Sequence, residues 1–190
     1  PQLREYTQVI IAEADRLQDL MIRLLTSHRM MQPTQLNLHD VVERVRRLIL
    51  AEFPAVAVRR DYDTSLPLVT GDREQLIQAI LNIARNAAQA MQSSGEIVMR
   101  TRAARQVTLA KRRFKLAVQL QVIDNGPGIP DDIRDRIFYP LVSGRENGSG
   151  LGLSLAQSFV EQHHGAIEVE SRPGRTCFTI FLPISRDADA

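Results

Sequence analysis

The chain contains 190 residues, of which 44% are hydrophobic and 24% are charged, with 24 Lys and Arg against 22 Asp and Glu. A chain of this length can bury one good hydrophobic core and carry a small second element. The composition excludes an intrinsically disordered chain, and the formal net charge of +2 argues against a general affinity for polyanions.

The cysteine and hydropathy patterns indicate a cytoplasmic protein. Cys177 is the single cysteine, and it lies in an apolar strand pattern where a buried free thiol is expected. No apolar run approaches the ~20 residues that a membrane-spanning helix needs, and the charged first residues do not resemble a signal peptide. We therefore expect a cytoplasmic location and no membrane segment in this chain.

The first segment, residues 1–31, has the spacing of a coiled-coil or bundle helix. Its stripe residues recur in steps of three and four: Leu3, Thr7, Ile10, Ala14, Leu17, Met21, Leu24 and His28. One amphipathic helix cannot bury its own stripe, so this helix needs a partner helix. Pro33 disfavours helix, and residues 32–36 are predicted to form a linker to a second domain over residues 37–190.

The second domain alternates helical and strand patterns. Helices are predicted at 38–53, 75–90 and from 151 onward, and strands at 56–62, 96–102, 116–123, 167–170 and 176–182. The helix over 75–90 has one apolar face, formed by Leu76, Ile80, Ile83 and Ala87. Together these elements predict an α+β fold in which helices cover one face of a mixed sheet.

Two asparagines on the helix over 75–90 are candidates for a metal site. Asn82 and Asn86 are four residues apart and therefore lie one turn apart on the same side of the helix. An amide oxygen suits a Mg²⁺ ion that keeps several waters and is otherwise held by phosphates. Asparagines within a helix are commonly just solvated, but two glycine clusters further along the chain favour the ligand interpretation.

The first glycine cluster is Asp124-Asn-Gly-Pro-Gly-Ile-Pro, which follows a β-rich run. It places a carboxylate at a strand end, where a buried acceptor can take a hydrogen bond from an exocyclic amine, and this favours adenine over guanine. Gly126 and Gly128 let a flat ring approach the main chain closely. The cluster is therefore predicted to bind a base.

The second cluster, Gly148-Ser-Gly-Leu-Gly-Leu, runs directly into a helical pattern. Backbone amides at a helix start have no partner within the helix and face whatever the preceding loop encloses. Phosphate groups are the natural occupants of such a site.

The motifs, in their order along the chain, resemble the N, G1, F, G2 and final glycine boxes of sensor histidine kinases. They are Asn86, Asp124-x-Gly126-x-Gly128, Ile137-Phe-Tyr-Pro-Leu, Gly148-x-Gly150-x-Gly152 and Gly174-Arg-Thr176. The resemblance implies the Bergerat (GHKL) fold, a two-layer α/β sandwich shared with gyrase, Hsp90 and MutL ATPases. It also implies that residues 1–31 are part of the second helix of a dimerisation and phosphoacceptor hairpin. The stretch after Phe138 and the long insert before Asp124 look most like the NtrB type of nitrogen-regulation kinase.

The resemblance also implies roles for individual residues. Asp124 would bind the adenine amine, Asn86 would bind Mg²⁺, and Phe138 would anchor a mobile lid. The remaining residues of the implied ATP site are Asn82, Gly126, Gly128, Ile129, Gly148, Ser149, Gly150, Leu151, Gly152, Leu153 and Thr176. Arg145 either reaches the terminal phosphate as a catalytic residue or is a solvated loop residue. Gln89 stands where many of these kinases carry a basic residue, which leaves the second phosphate contact unassigned.

A kinase of this type would transfer the terminal phosphate of ATP to a histidine on an upstream helix. The partners implied are the receiver domain of an NtrC-like response regulator, a PII signal protein and a second copy in a full-length homodimer. His28 has the histidine-to-proline spacing of an acceptor, but Arg29 replaces the expected acid, so we expect the acceptor to lie outside this chain.

Two other function classes stay open: an ATPase-driven clamp, which pairs this fold with a following domain, and a regulatory module that binds nucleotide without transfer. Residues 97–123 contain no acid and many bases, so the hairpin insert over 101–114 is either a solvated hairpin or a docking surface for a protein. Nucleic acid is not expected to bind there, because stacking aromatic residues are absent.

Overall fold

A computed structural model describes residues 31–140, 142 and 150–186, and the single positions 10, 13 and 17. Ile10, Glu13 and Leu17 are helical, and Ile10 and Leu17 are 68% and 59% exposed. The remainder of the predicted bundle helix, with His28, lies outside the described residues, as do Arg145, Gly148 and Ser149.

The described chain forms a mixed five-stranded sheet, a two-stranded sheet and four helices. The strands are β1 (Thr34–Leu36), β2 (Val56–Asp61), β3 (Val69–Gly71), β4 (Gly95–Leu109), β5 (Arg112–Asp124), β6 (Ala166–Arg172) and β7 (Arg175–Arg186). The helices are α1 (Leu38–Glu52), α2 (Arg73–Ala90), α3 (Asp131–Arg134) and α4 (Gly152–Gln162). The large sheet has the order β2-β4-β5-β7-β6; β2 is parallel to β4, and every other pair is antiparallel.

The two long helices begin at side-chain caps. The Asn37 side chain accepts a hydrogen bond from the His39 N–H before α1, and Asp72 accepts from the Glu74 and Gln75 N–H groups before α2. Each cap satisfies amides that have no partner within the helix. The apolar face predicted for the second helix is confirmed, because Leu76, Ile80, Ile83 and Ala87 are all buried.

The hydrophobic core lies between one face of the large sheet and the three longer helices. The sheet contributes alternate residues of three central strands, and α4 contributes Phe159, which is 1% exposed. The sheet residues are Ile97, Met99, Val118, Leu120, Val122, Phe178, Ile180 and Leu182. Burial of each such large apolar side chain stabilises the fold by about 1.5–3 kcal/mol. The predicted α+β fold with helices on one face is confirmed.

Three features differ from the sequence-based expectations. Residues 34–36 of the predicted linker form β1, which pairs with β3. The predicted hairpin insert extends β4 and β5 in one register, with an interruption at Gln106, whose φ angle is 52°. Its two turn residues, Ala110 and Lys111, have φ angles of 48° and 65°. These angles give the left-handed two-residue turn that matches strand twist. Neither the short strand β3 nor the single turn α3 was predicted.

Candidate nucleotide site

Asp124 ends β5 and lies under the loop that follows. It is 4% exposed, and its Oδ1 accepts a hydrogen bond of 2.9 Å from the Gly126 N–H. The Oδ2 atom has no hydrogen-bond partner within the described part of the chain. Burial raises the pKa of the Asp124 carboxyl above its ordinary value, and the hydrogen bond from Gly126 acts in the opposite direction. The site therefore contains a buried acceptor with one oxygen available to a donor.

The loop after Asp124 is held against the turn between β6 and β7. Gly174 donates its N–H to the Gly126 carbonyl at 2.9 Å, and Ile129 donates its N–H to Ser171 Oγ at 2.8 Å. Gly128 has a φ angle of 91°, and a Cβ placed there would lie 3.0 Å from the carbonyl carbon and oxygen of Arg172. Only glycine combines that conformation with so close an approach, so the loop backbone is fixed on both sides.

Thr176 lies beside Asp124, because the two residues are partners in the β5–β7 register. Thr176 is buried, and its Oγ1 is 2.9 Å from Ser171 Oγ, the atom that also accepts the Ile129 N–H. The structure therefore brings Thr176 and Ile129 to the same end of the sheet as Asp124.

The other glycine cluster meets the middle of α2. Asn82 donates its Nδ2–H to the Gly152 carbonyl at 3.1 Å, and its Oδ1 accepts from Gln78 Nε2 at 3.0 Å. Gly150 has a φ angle of 64°, Leu151 is buried, and Gly152 is the first residue of α4. This places the N-terminus of α4 against α2.

The N-terminus of α4 has the properties of an anion site. Leu151, the residue at the cap position, makes no side-chain capping hydrogen bond to the helix. Ser154 donates its hydroxyl to the Leu151 carbonyl at 2.9 Å, and Leu153 packs against the core. Amides in the first turn have no acceptor within the helix, and the helix dipole favours a negative charge there.

Helix α2 joins the two ends of the site. Gly126 lies against the last residues of α2, since a Cβ placed there would lie 3.2 Å from Met91 Cγ and 3.8 Å from the Ala90 carbonyl carbon. Asn82, which contacts α4, lies eight residues before Ala90, a separation of about 12 Å along the axis of α2. Asn86 is half-buried and stands midway, on the same side of the helix. The predicted base and phosphate positions therefore flank the predicted metal ligand.

Phe138 lies a few residues before positions 143–149, which are outside the described residues. It is half-buried, and its ring packs edge-on against Phe178 with the ring centroids 6.3 Å apart. Ile137 beside it is buried, whereas Tyr139 is 61% exposed. The contact agrees with the predicted anchoring role and is also ordinary core packing.

The described residues offer few protein ligands for the predicted Mg²⁺ ion. No group of three or more His, Cys, Asp or Glu residues that could hold a metal occurs among the described residues. A Mg²⁺ ion accepts one amide oxygen when phosphates and waters complete its octahedron. Asn86 fits that requirement, and a fully protein-bound metal site does not fit the described residues.

His163 links two helices through hydrogen bonds, whereas the sequence predicted only a surface or packing role for it. It is 5% exposed, its Nδ1–H donates to the Phe159 carbonyl at 2.7 Å, and its Nε2 accepts from the Asp72 N–H at 2.9 Å. Burial lowers the pKa of His163 below its ordinary value. The neutral ring thus connects the end of α4 to the cap of α2, and no spacing signal in the sequence could have identified this pair.

Comparison with known proteins identifies the family. Residues 71–186 match the model of the Histidine kinase-, DNA gyrase B-, and HSP90-like ATPase family. The chain belongs to this family. The match spans the candidate site from β3 to β7. Together with the relatives described next, it confirms the resemblance to sensor histidine kinases.

Relatives within this ATPase family include sensory histidine kinases. The chain is 50% identical over 189 residues to the sensory histidine kinase/phosphatase NtrB of Vibrio alginolyticus and 51% identical over 189 residues to that of Klebsiella oxytoca. In both cases the match covers 98% of this chain and 54% of the relative. The chain therefore spans about half the length of the curated relatives that it matches.

Solved structures of histidine kinases share the fold. The catalytic domain of histidine kinase ThkA matches with a TM-score of 0.69 and 25% identity, covering 81% of this chain and 97% of that chain. ThkA in complex with response regulator protein TrrA matches with a TM-score of 0.71 and 23% identity, covering 96% of this chain and 52% of that chain. Within the part of the chain that the structure describes, no helix is long and apolar enough to cross a membrane.

Proposed function

We propose that this chain is the ATP-binding catalytic part of an NtrB-type sensor histidine kinase. The observation that carries the proposal is the arrangement along α2. A buried carboxylate with one available oxygen stands at one end, the N-terminus of α4 meets the helix about 12 Å away, and Asn86 lies between them. This arrangement fits a base, a metal-bound polyphosphate and the link between them.

Base recognition is assigned to Asp124. Its Oδ2 accepts a hydrogen bond from the exocyclic amine of adenine, while its Oδ1 remains bonded to the Gly126 N–H. Guanine presents a carbonyl oxygen at the corresponding ring position, and that oxygen would face a carboxylate oxygen with no proton between them. The Gly126 to Ile129 backbone, fixed against the β6–β7 turn, supports the ring.

Phosphate binding is assigned to the start of α4 and the glycine loop before it. The amides of Gly150, Leu151 and Gly152 are proposed to bind the phosphates. Gly148 and Ser149, which lie outside the described residues, keep the phosphate-binding role that the resemblance implies for them. Asn86 supplies an amide oxygen to Mg²⁺, which neutralises phosphate charge when bound. Arg145 is proposed to contact the terminal phosphate.

In the proposed reaction a nitrogen of an acceptor histidine attacks the terminal phosphorus of ATP. A nitrogen–phosphorus bond forms, the bond from that phosphorus to the bridging oxygen breaks, and ADP leaves with the electron pair. Positioning and charge neutralisation supply most of the catalysis in such transfers. The acceptor histidine and its acidic neighbour are proposed to lie on the hairpin helix that partners residues 1–31.

The proposed partners follow from the same assignment. The phosphate passes to an aspartate on the receiver domain of an NtrC-like response regulator, a PII signal protein regulates the activity, and the full-length protein is a homodimer. The proposed location is the cytoplasm.

The test is incubation with terminally labelled Mg-ATP, alone and with a separately supplied acceptor hairpin that carries its histidine. We expect acid-labile, alkali-stable label on the hairpin. The Asp124→Asn variant should give little label at limiting ATP. Label on this chain alone would contradict an acceptor outside the chain and make His28 a candidate again, whereas tight ATP binding with no label anywhere would favour the regulatory module.

A further inference from the structure

We propose that Asn82 is a positioning residue, oriented by Gln78, that holds the phosphate-facing end of α4 against α2 and does not itself bind Mg²⁺ or phosphate. The inference rests on the proposed function and refines the role of one residue of that site. It starts from the two hydrogen bonds of the Asn82 amide, to Gly152 and to Gln78.

The orientation of the Asn82 amide is decided by its neighbour on α4. The Gly152 carbonyl can only accept, so the atom that faces it at 3.1 Å is Nδ2. The Asn82 Oδ1 atom consequently points to Gln78, whose Nε2 lies 3.0 Å away. The oxygen that would be needed as a metal ligand is thus already directed along α2, back toward its N-terminus.

Gln78 lies one turn before Asn82 on α2 and is not among the residues assigned to the nucleotide site. It lines a groove of about 540 Å³ between α1 and α2, together with Arg44, Leu48 and Ile77. A substitution of Gln78 therefore changes the hydrogen bonding of Asn82 and removes no group that is assigned to the nucleotide site. This separation makes the proposed role testable.

The contact of Asn82 with α4 is also close. A Cβ placed at Gly152 would lie 3.7 Å from Asn82 Cβ and 3.8 Å from Asn82 Cγ, so the two backbones pass each other with only the asparagine stem between them. Since the Leu151 side chain provides no cap, the Asn82 hydrogen bond fixes the first carbonyl of α4 from the side. Loss of that bond should loosen the amides that face phosphate.

The two roles of Asn82 predict opposite results for Asn82→Asp. An aspartate keeps the shape and still accepts from Gln78, but it turns a carboxylate oxygen toward the Gly152 carbonyl oxygen and loses the bond. A positioning role therefore predicts weaker ADP binding both with and without Mg²⁺. A metal-ligand role predicts that the added negative charge strengthens the Mg²⁺-dependent part of binding.

The experiment compares the full chain with its Asn82→Asp, Gln78→Met and Gln157→Met variants. Gln157 is a half-buried glutamine on α4, and it serves as the matched control. Calorimetry measures the affinities for ADP and adenosine, each with and without Mg²⁺. Hydrogen exchange measures protection of the first-turn amides of α4 without nucleotide, and thermal unfolding verifies that each variant folds.

We expect Gln78→Met to weaken ADP binding about threefold and Asn82→Asp about tenfold, the scale of one net hydrogen bond. Adenosine affinity should stay within about twofold in both variants, because the adenine end is unchanged. The first turn of α4 should exchange faster in both variants than in Gln157→Met. A substitution that only lowers global stability would weaken ADP binding and adenosine binding to the same extent.

The inference is overturned if Gln78→Met equals Gln157→Met in both ADP affinity and exchange, or if Asn82→Asp strengthens Mg²⁺-dependent binding. Should Asn82→Asp fail to fold, the ADP affinity and the exchange rates of Gln78→Met decide whether the positioning role holds. A parent chain that binds neither ADP nor adenosine would contradict the proposed function. The exchange comparison would still test the positioning role in that case.

Discussion

The two ends of the candidate nucleotide site are built in different ways. At the proposed base end the recognition group is a buried side chain, Asp124. Two hydrogen bonds fix the loop after it, one from the Gly174 N–H of the β6–β7 turn to the Gly126 carbonyl and one from the Ile129 N–H to Ser171 Oγ. At the proposed phosphate end the recognition groups are backbone amides of α4, and the Asn82 side chain of α2 donates a hydrogen bond to the first carbonyl of that helix. In this proposal, specificity for one base depends on a single carboxylate, whereas phosphate binding depends on how α2 and α4 are placed.

The largest expected effect is at the base end. Asp124→Asn should weaken ATP and adenosine alike by about 30- to 150-fold, or about 2–3 kcal/mol, the scale of a lost hydrogen bond to a charged group. Calorimetry with both ligands measures this, and Asp135→Asn is the control, since Asp135 is an exposed aspartate. Equal affinities for parent and Asp124→Asn would remove Asp124 from the base site.

The second prediction concerns the backbone around the base. Gly128→Ala should destabilise the domain by about 1–3 kcal/mol, because a left-handed residue gains a Cβ against the Arg172 backbone. Gly174→Ala is the matched control: its φ angle is 82°, but nothing lies within 4 Å of a Cβ placed there. Chemical unfolding of both variants separates backbone strain from close approach, and equal losses would mean that the close approach contributes nothing.

The third prediction tests the position between the two ends. Asn86→Ala should remove the gain in ADP affinity that Mg²⁺ provides, which we expect to be about tenfold, and leave adenosine affinity unchanged. Titrations with ADP at zero and at saturating Mg²⁺ measure this gain for the parent chain and for the variant. If the variant keeps the full Mg²⁺ dependence, Asn86 is not the metal ligand.

The smallest expected effect is the pH dependence of stability contributed by His163. Burial lowers the folded-state pKa of His163, so the unfolded chain binds the proton more strongly. The stabilisation is present above the unfolded pKa of about 6.5 and is lost as the pH falls through the lower folded pKa. A protonated ring also cannot accept the Asp72 N–H.

The variant for this test is His163→Gln, whose amide oxygen can still accept that N–H. Unfolding free energies between pH 7.5 and pH 5 should fall less steeply for His163→Gln than for the parent chain. The neighbouring His164 is exposed, so His164→Gln should keep the steep parent curve. Identical slopes for all three proteins would show that His163 does not contribute to the acid sensitivity.

The sequence predicted the elements in which apolar residues recur at a regular spacing. The spacing of Leu76, Ile80, Ile83 and Ala87 predicted the buried face of α2, and alternation predicted the central strands. The strands β1 and β3 have three residues each and show no period, because their pairing is decided by residues about 35 positions apart. The same limit applies to the Asp72–His163 contact, which joins residues 91 positions apart.

The candidate site likewise has features that the sequence predicted and features that depend on tertiary packing. The glycine clusters predicted both ends of the candidate site, since closely spaced glycines indicate loops in which the main chain can approach a ligand. The interpretation of Asn82 as a group of the ATP site could not foresee its bond to Gly152, because that bond depends on how α2 and α4 pack. The contribution of Gln78 depends in turn on Asn82 and carries no signal of its own in the sequence.

The measurement that tests the central claim most directly is a crystal structure of this chain with Mg²⁺ and a non-hydrolysable ATP analogue. We predict that the adenine amine lies within hydrogen-bond distance of an Asp124 oxygen, that the phosphates lie at the N-terminus of α4, and that Asn86 contacts the ion. A nucleotide bound with its base away from Asp124, or with its phosphates away from α4, would contradict the account.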